Sequence, residues 1–204
     1  MPRRAKADAE KTRARILASA LTLFVKKGYE NTTLNDIAAR LKMTKGAVYW
    51  HFASKSDLLA ALLDEAKARF STKFDELMEG KALTFPAVAK MLAEIAGRIV
   101  ADRGRSDFFM LMHTGLKWTD AKLAPMAQKL ITERVGPHHA VVDAIDADIA
   151  AARVRPEVDA QQIAVVVMSI WDGAIRRKIE GFLPADVSDM LENAFGLVWD
   201  GIRV

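Results

Sequence analysis

At 204 residues, with 51% hydrophobic side chains and no cysteine, the chain has room for one large or two small domains around a real core and has no disulfide to staple it. No run of 18 apolar residues occurs, so neither a transmembrane span nor a signal peptide is expected, and the lack of cysteine fits a reducing cytoplasm. Charge is uneven: residues 1–57 hold twelve Lys or Arg against five Asp or Glu, net +7, whereas residues 58–204 hold eighteen against twenty-one, net −3. The basic part therefore suits a polyanion, bound more weakly as salt rises.

Arg3, Arg4 and Lys6 form a short basic arm, expected to be mobile without DNA. A first helix follows from about Asp8 to Lys27, where Ile16, Leu17, Ala20, Leu21 and Phe24 recur at helical spacing and Gly28 is the stop. Thr33, with Asp36 three residues on, caps a short second helix carrying Leu34, Ile37, Ala38 and Leu41. The pattern breaks over 41–43, and Thr44 caps a third helix running through Trp50.

Two short helices joined by a tight turn make a helix-turn-helix, whose second helix enters the major groove with its N-terminal residues on base edges. That assigns Thr44 and Lys45 to bases. Gly46 costs a helix about 1 kcal/mol relative to Ala, and close approach to DNA is a reason for it. Val48 should point inward, while Tyr49, Trp50 and His51 fan over the remaining face, Tyr49 and His51 as donors to phosphate. Ala47 on the same helix and Thr33 at the start of the preceding one complete the candidate set. Lys55 falls in the first turn of the fourth helix, where a cation opposes the helix dipole; a DNA phosphate is the expected partner.

The rest reads as helix throughout. The fourth helix runs to about Glu79 and ends at Gly80; Thr84 and Pro86 open a fifth, which Gly104 ends; a sixth covers 105–118. A seventh starts near Thr119 and reaches Ile149, with a kink or break predicted at Gly136-Pro137. Asp159 with Gln162, and Asp186 with Asp189, cap the last two. No strand pattern and no repeat is visible, so the fold class is all-α with nine helices.

On these residues the N-terminal 60 or so resemble the TetR family of transcriptional regulators: Thr12-Arg13, Ile16-Leu17, Ala20, Leu23-Phe24, Gly28-Tyr29, Thr32-Thr33, Ile37-Ala38, the run Thr44 to Phe52, Lys55 and Leu58. The run KGAVYWHF is most similar to the AcrR-type branch, which represses multidrug efflux pumps. The resemblance implies a two-domain architecture, with a DNA-binding helix-turn-helix domain over 1–56 and a ligand-binding and dimerisation domain over 57–204. It also implies a palindromic double-stranded operator and a homodimer in which the last two helices form a four-helix bundle with their symmetry mates. Large residues there, Met168, Ile170, Trp171, Phe195, Val198 and Trp199, are the expected pairing surface, with the monomer's own core as the alternative.

Between 84 and 178 soft and aromatic residues accumulate, among them Met91, Phe109, Met112, Met168 and Trp171, with Ile95 beside them. A methionine-lined pocket adapts to several ligands, although core packing explains such residues in most helical proteins. His113, Asp172 and Arg176 are the polar handles; Asp172 and Arg176, one turn apart, can instead pair with each other. The resemblance places the effector pocket at matching positions and implies a small apolar or amphipathic molecule that binds between helices five to eight and releases DNA. A metabolic regulator with a specific metabolite, or an architectural DNA binder without ligand, is the alternative. An enzyme is disfavoured, because no nucleophile–base pairing and no phosphate-binding glycine loop occurs. No cofactor is expected; His139 and Asp143, four apart, can chelate, but a solvated helix face beside Pro137 explains them better.

Overall fold

Local capping decides where most helices begin. The computed structural model describes residues 2–80, 82–132 and 136–204. Among them lie α1 (Pro2–Lys27), α2 (Leu34–Leu41), α3 (Lys45–His51), α4 (Lys55–Met78), α5 (Phe85–Ala101), α6 (Arg103–Met110), α7 (Ala124–Thr132), α8 (Pro137–Ala150), α9 (Ala160–Ile179) and α10 (Val187–Ile202). An isolated antiparallel bridge joins Val154 to Arg203. The all-α class holds.

Thr33 and Asp36 form a reciprocal capping box at α2, with Asp36 N–H on the Thr33 hydroxyl at 3.1 Å and Thr33 N–H on the Asp36 carboxylate at 2.9 Å. Ser54 and Asp57 repeat it at α4. Thr84, Asp159 and Asp186 cap α5, α9 and α10. Gly28, at φ 84°, ends α1, and the buried Thr32 hydroxyl donates back to the Gly28 carbonyl at 2.9 Å.

Three expectations change. The first helix starts at Pro2, so the backbone of the supposed basic arm is helical; the side chains of Arg3, Arg4 and Lys6 lie outside the described residues. The sixth element is α6 followed by a π-helical turn, Leu111–Gly115, and an extended Leu116. That wider turn releases carbonyls from the α ladder. The Trp118 indole N–H takes up Met112 at 2.9 Å, and the Thr114 hydroxyl takes up Met110 at 2.8 Å. The seventh element is two helices, which brings the count among the described residues to ten: α7 ends at Thr132, and α8 opens on Pro137 behind Gly136 at φ 129°, ψ 177°. Only glycine accepts that backbone readily, and proline at the first helical position cannot continue a preceding helix.

The chain forms two compact units, one of residues up to Ala66 together with Gly104–Leu130, the other of Lys67–Arg103 with Ile131–Val204. This differs from the expected division at 56/57. Its cause is hydrophobic: Leu58, Leu59, Leu62 and Leu63 of α4, and Leu111, Leu116 and Leu123 from the later segment, all join the core of Ile16, Leu17, Phe24, Ile37 and Val48. A helix-turn-helix of some 50 residues has too little apolar surface to bury alone.

In the second unit α5 packs on α8, α9 and α10. Phe85, Val88, Leu92, Ile145, Ile175, Leu191 and Phe195 are buried there. At its centre Asp148 accepts the Phe85 N–H at 2.7 Å and the Arg153 Nε and guanidinium NH2, each at 2.7 Å. Trp171 and Phe195, expected at a pairing surface, belong to this core, whereas Met168, Ile170, Val198 and Trp199 are half-buried. Hydrophobic stripes do not say whose core they fill. Among the described residues of this unit, the large apolar side chains left in water are Val165 and Val166 on α9, Leu197 on α10, Phe182 between the two helices, and Val204.

Candidate nucleic-acid interface

The turn between α2 and α3 is made by Lys42 in the left-handed region at φ 55°, with Lys42 N–H on the Ala39 carbonyl and Met43 N–H on that of Ala38. Thr44 then caps α3, its hydroxyl accepting from Ala47 N–H at 3.2 Å. Val48 is fully buried and is the single inward anchor of this seven-residue helix. Phe52, also buried, closes it by donating its N–H to the Val48 carbonyl. With one face pinned, Thr44, Lys45, Gly46, Tyr49 and Trp50 must face solvent, and they do. Trp50 is 74% exposed and Tyr49 45%, values that folding of this chain does not explain.

The side chains on that face are pre-arranged. Lys45 Nζ lies 5.4 Å from the Tyr49 ring centroid, and the His51 ring meets Trp50 edge-on at 4.5 Å. Ala47 and His51 are half-buried at the helix edge. Burial, and then the charge of Arg13, hold the His51 imidazole below its ordinary range, so it is neutral at pH 7. As a neutral ring it still carries one N–H for a phosphate. Thr33 is exposed, but its hydroxyl is already engaged, donating to Asp36 at 2.7 Å. The Lys27 ammonium, bonded to Asp36 at 2.8 Å, and the Thr33 donors hold that carboxyl down to about 2.

Lys55, expected to meet a DNA phosphate, has acceptors within the free chain. Its ammonium donates to the carbonyls of Tyr29 at 2.7 Å and Glu30 at 3.0 Å and sits 4.4 Å from the Tyr29 ring centroid. These contacts give a cation in the first turn of α4 favourable neighbours. Sequence reasoning also missed Arg13, which pairs with Glu65 at 3.2 Å and lies 5.2 Å from the Phe52 ring centroid, tying α1 to α4 behind α3. No local signal announces a contact across 52 residues.

The candidate ligand residues fall in both units. In the first, Phe109 is buried and stacks on the exposed His113 at 4.2 Å, while Met112 packs partly against the core. In the second, Met91 and Trp171 are buried, Trp171 donating its indole N–H to the Leu92 carbonyl at 2.9 Å; Ile95, Met168 and Asp172 are half-buried. Arg176 is exposed and pairs with Glu180 at 2.9 Å, four residues on, so the handle expected beside Asp172 is bonded elsewhere. His138 Nε2 lies 3.2 Å from the Gln161 amide oxygen, and among the described residues no three His, Cys, Asp or Glu side chains gather as a metal site. None of the helices among them is long and apolar enough to cross a membrane.

The family described as bacterial regulatory proteins, tetR family, matches residues 16–62, from the later part of α1 through the first turns of α4. The HTH-type transcriptional regulator TtgR of Pseudomonas putida is 31% identical over 183 residues, covering 87% of this chain and 84% of that protein. The regulator AcrR of Shigella flexneri is 38% identical over 81 residues, 36% of this chain and 38% of its own. Among solved structures, NalD, the secondary repressor of the MexAB-OprM multidrug efflux pump in Pseudomonas aeruginosa, superposes with a TM-score of 0.75 at 19% identity over 96% of this chain and 98% of that one. FadR of Bacillus subtilis in complex with stearoyl-CoA gives 0.77 at 16% identity over 93% and 98%. At such identities the two structures speak for the fold.

Proposed function

The chain belongs to the TetR family of bacterial regulatory proteins, and from that premise we propose a homodimeric repressor of an efflux system that leaves a palindromic operator when a small apolar or amphipathic effector binds. That it is a ligand-responsive, DNA-binding transcriptional regulator follows from the family. The finer reading is supported by the relatives' own roles and by one observation above all. A helix fastened by Val48 alone presents Thr44, Lys45, Gly46, Tyr49 and Trp50 to solvent in the most basic part of the chain. Thr44 and Lys45 meet base edges, while Tyr49 and His51 hold phosphates.

The operator is to be recovered by selecting duplexes from a random pool with the purified protein. The expected product is a palindrome whose half-sites lie about 34 Å apart or a multiple of that. Lys45→Ala should weaken binding and flatten its salt dependence, the slope of log K against log salt falling by about 0.9 for each phosphate no longer neutralised. A protein that retains no duplex at low ionic strength would end this reading.

Dimerisation is assigned to α9 and α10 because Val165, Val166 and Leu197 are exposed on them without a partner in the chain, Leu197 at 75%. The Gly196 and Gly201 positions on α10 meet no atom within 4 Å of an added Cβ, which leaves room for close approach by a second helix. Leu197→Glu should raise the dimer dissociation constant roughly 30-fold, the effect of about 2 kcal/mol at an interface centre. Light scattering across a dilution series reads this directly; an unchanged dimer would move the interface elsewhere. The effector proposal rests on Met91, Ile95, Met168, Trp171 and Asp172 in the second unit. It is tested by thermal shift with apolar drugs, then by release of the selected duplex.

A further inference from the structure

A lysine in the first turn of a helix stands against the helix dipole, at a cost of about 0.3–1 kcal/mol, so something must favour it there. In α4 that something is the turn between α1 and α2. The Lys55 ammonium has three donor hydrogens. Two meet the Tyr29 and Glu30 carbonyls, and the Glu30 carboxylate lies 3.8 Å away. These acceptors lie in the turn after Gly28, where α1 has ended, and the Tyr29 carbonyl is shared with the Thr32 N–H at 3.3 Å. The face of the Tyr29 ring, 4.4 Å off, completes the cradle.

The cradle is itself rigid. Tyr29 is buried and packs edge-on to Phe24 at 5.0 Å. The first turn of α4 is thus held on one tyrosine, through its carbonyl and its ring. Only Phe52, Ala53 and Ser54 separate that turn from the end of α3. Phe52 caps α3, and Ser54 with Asp57 caps α4, so little slack remains. Moving the start of α4 moves the DNA-reading helix.

We propose that Lys55 is a positioning residue for DNA recognition, its charge taken up inside the protein by the α1–α2 turn and not by a DNA phosphate. This rests on α3 being the reading helix, and the test keeps the two apart. Full-length Lys55→Met and Lys55→Gln are titrated with the duplex selected by the wild-type protein, well below the midpoint of thermal unfolding and over a series of salt concentrations. Lys45→Ala is the control.

The methionine variant should bind about 10- to 30-fold more weakly with the wild-type salt slope. Glutamine, which keeps a donor for the carbonyls without the charge, should recover several-fold of that loss, again at unchanged slope. A slope that falls by about 1.8 in both neutral variants, one phosphate per subunit of a dimer, would overturn the proposal in favour of a phosphate contact. Full-strength binding with only a lowered midpoint would overturn it in favour of a purely structural lysine. If Lys45→Ala also leaves affinity and slope untouched, it is the assignment of α3 to DNA that has failed.

Discussion

Replacing Asp148 by alanine should cost about 3–5 kcal/mol of stability and lower Tm by roughly 10 °C. Asp148 is 0% exposed and holds two groups at once. Its carboxylate accepts the first N–H of α5, at Phe85, a buried donor that also carries the positive end of the α5 dipole. It also receives the Arg153 side chain through two nitrogens of one guanidinium. Alanine leaves the Phe85 N–H in the core without an acceptor, about 1–3 kcal/mol by itself, and opens a void where the carboxylate stood. Arg153, 45% exposed, can turn to water, which limits its share of the loss. Asparagine keeps an acceptor for Phe85 but presents no charge to the guanidinium, so it should lose roughly half as much. Calorimetry or urea unfolding monitored by far-UV circular dichroism reads both. A loss below about 1 kcal/mol for Asp148→Ala would mean that the buried carboxylate is dispensable.

Nothing in the sequence announces this carboxylate, because its partners lie 63 residues earlier and five residues later, on a loop without a motif. The capping residues were legible for the opposite reason. Thr33 with Asp36, Ser54 with Asp57, and Asp159 with Gln162 act over three residues, a distance at which chain geometry alone brings donor to acceptor. Val48 was legible as the inward residue because one turn of helix separates it from the cap. Gly136-Pro137 was legible as an interruption since both residues restrict their own backbone.

Lys55 shows where such reasoning stops. The dipole argument demands an acceptor for its charge but does not find the carbonyls that meet it, because they come from a turn 25 and 26 residues away. Trp171 and Phe195 show a second limit. Their periodicity marks a buried stripe, but burial within one chain and burial between two chains leave the same pattern, and only the packing of α5 on α9 and α10 separates them. The π turn at Leu111–Gly115 shows a third: a helix that widens by one residue keeps its apolar spacing nearly intact, and Trp118, which stabilises it, reads as one more aromatic.

Gly46→Leu should weaken binding to the selected operator by about three orders of magnitude, roughly 4 kcal/mol, while leaving the free protein as stable as before or more so. Glycine inside a helix needs a reason, and the folded chain supplies none. An added Cβ at Gly46 meets no atom within 4 Å, and its backbone lies outside the left-handed region that would exclude other residues. In the protein alone any good helix former should gain about 0.5–1 kcal/mol there, and Tm should rise by a few degrees. The reason therefore lies outside the chain, on the solvent face shared with Lys45 and Tyr49. Where a helix sits deep in a groove, a missing side chain brings backbone close to bases or phosphates, and a leucine there holds the helix away and strips it of neighbouring contacts. A symmetric dimer incurs this twice, at about 1–3 kcal/mol for each half-site. Gly46→Ala, with a single methyl, should lose about tenfold. Anisotropy titration of the duplex, set beside thermal unfolding of the free protein, separates the two effects: a stabilised variant that binds as tightly as the wild type would remove Gly46 from the interface and leave its place in α3 without a physical cause.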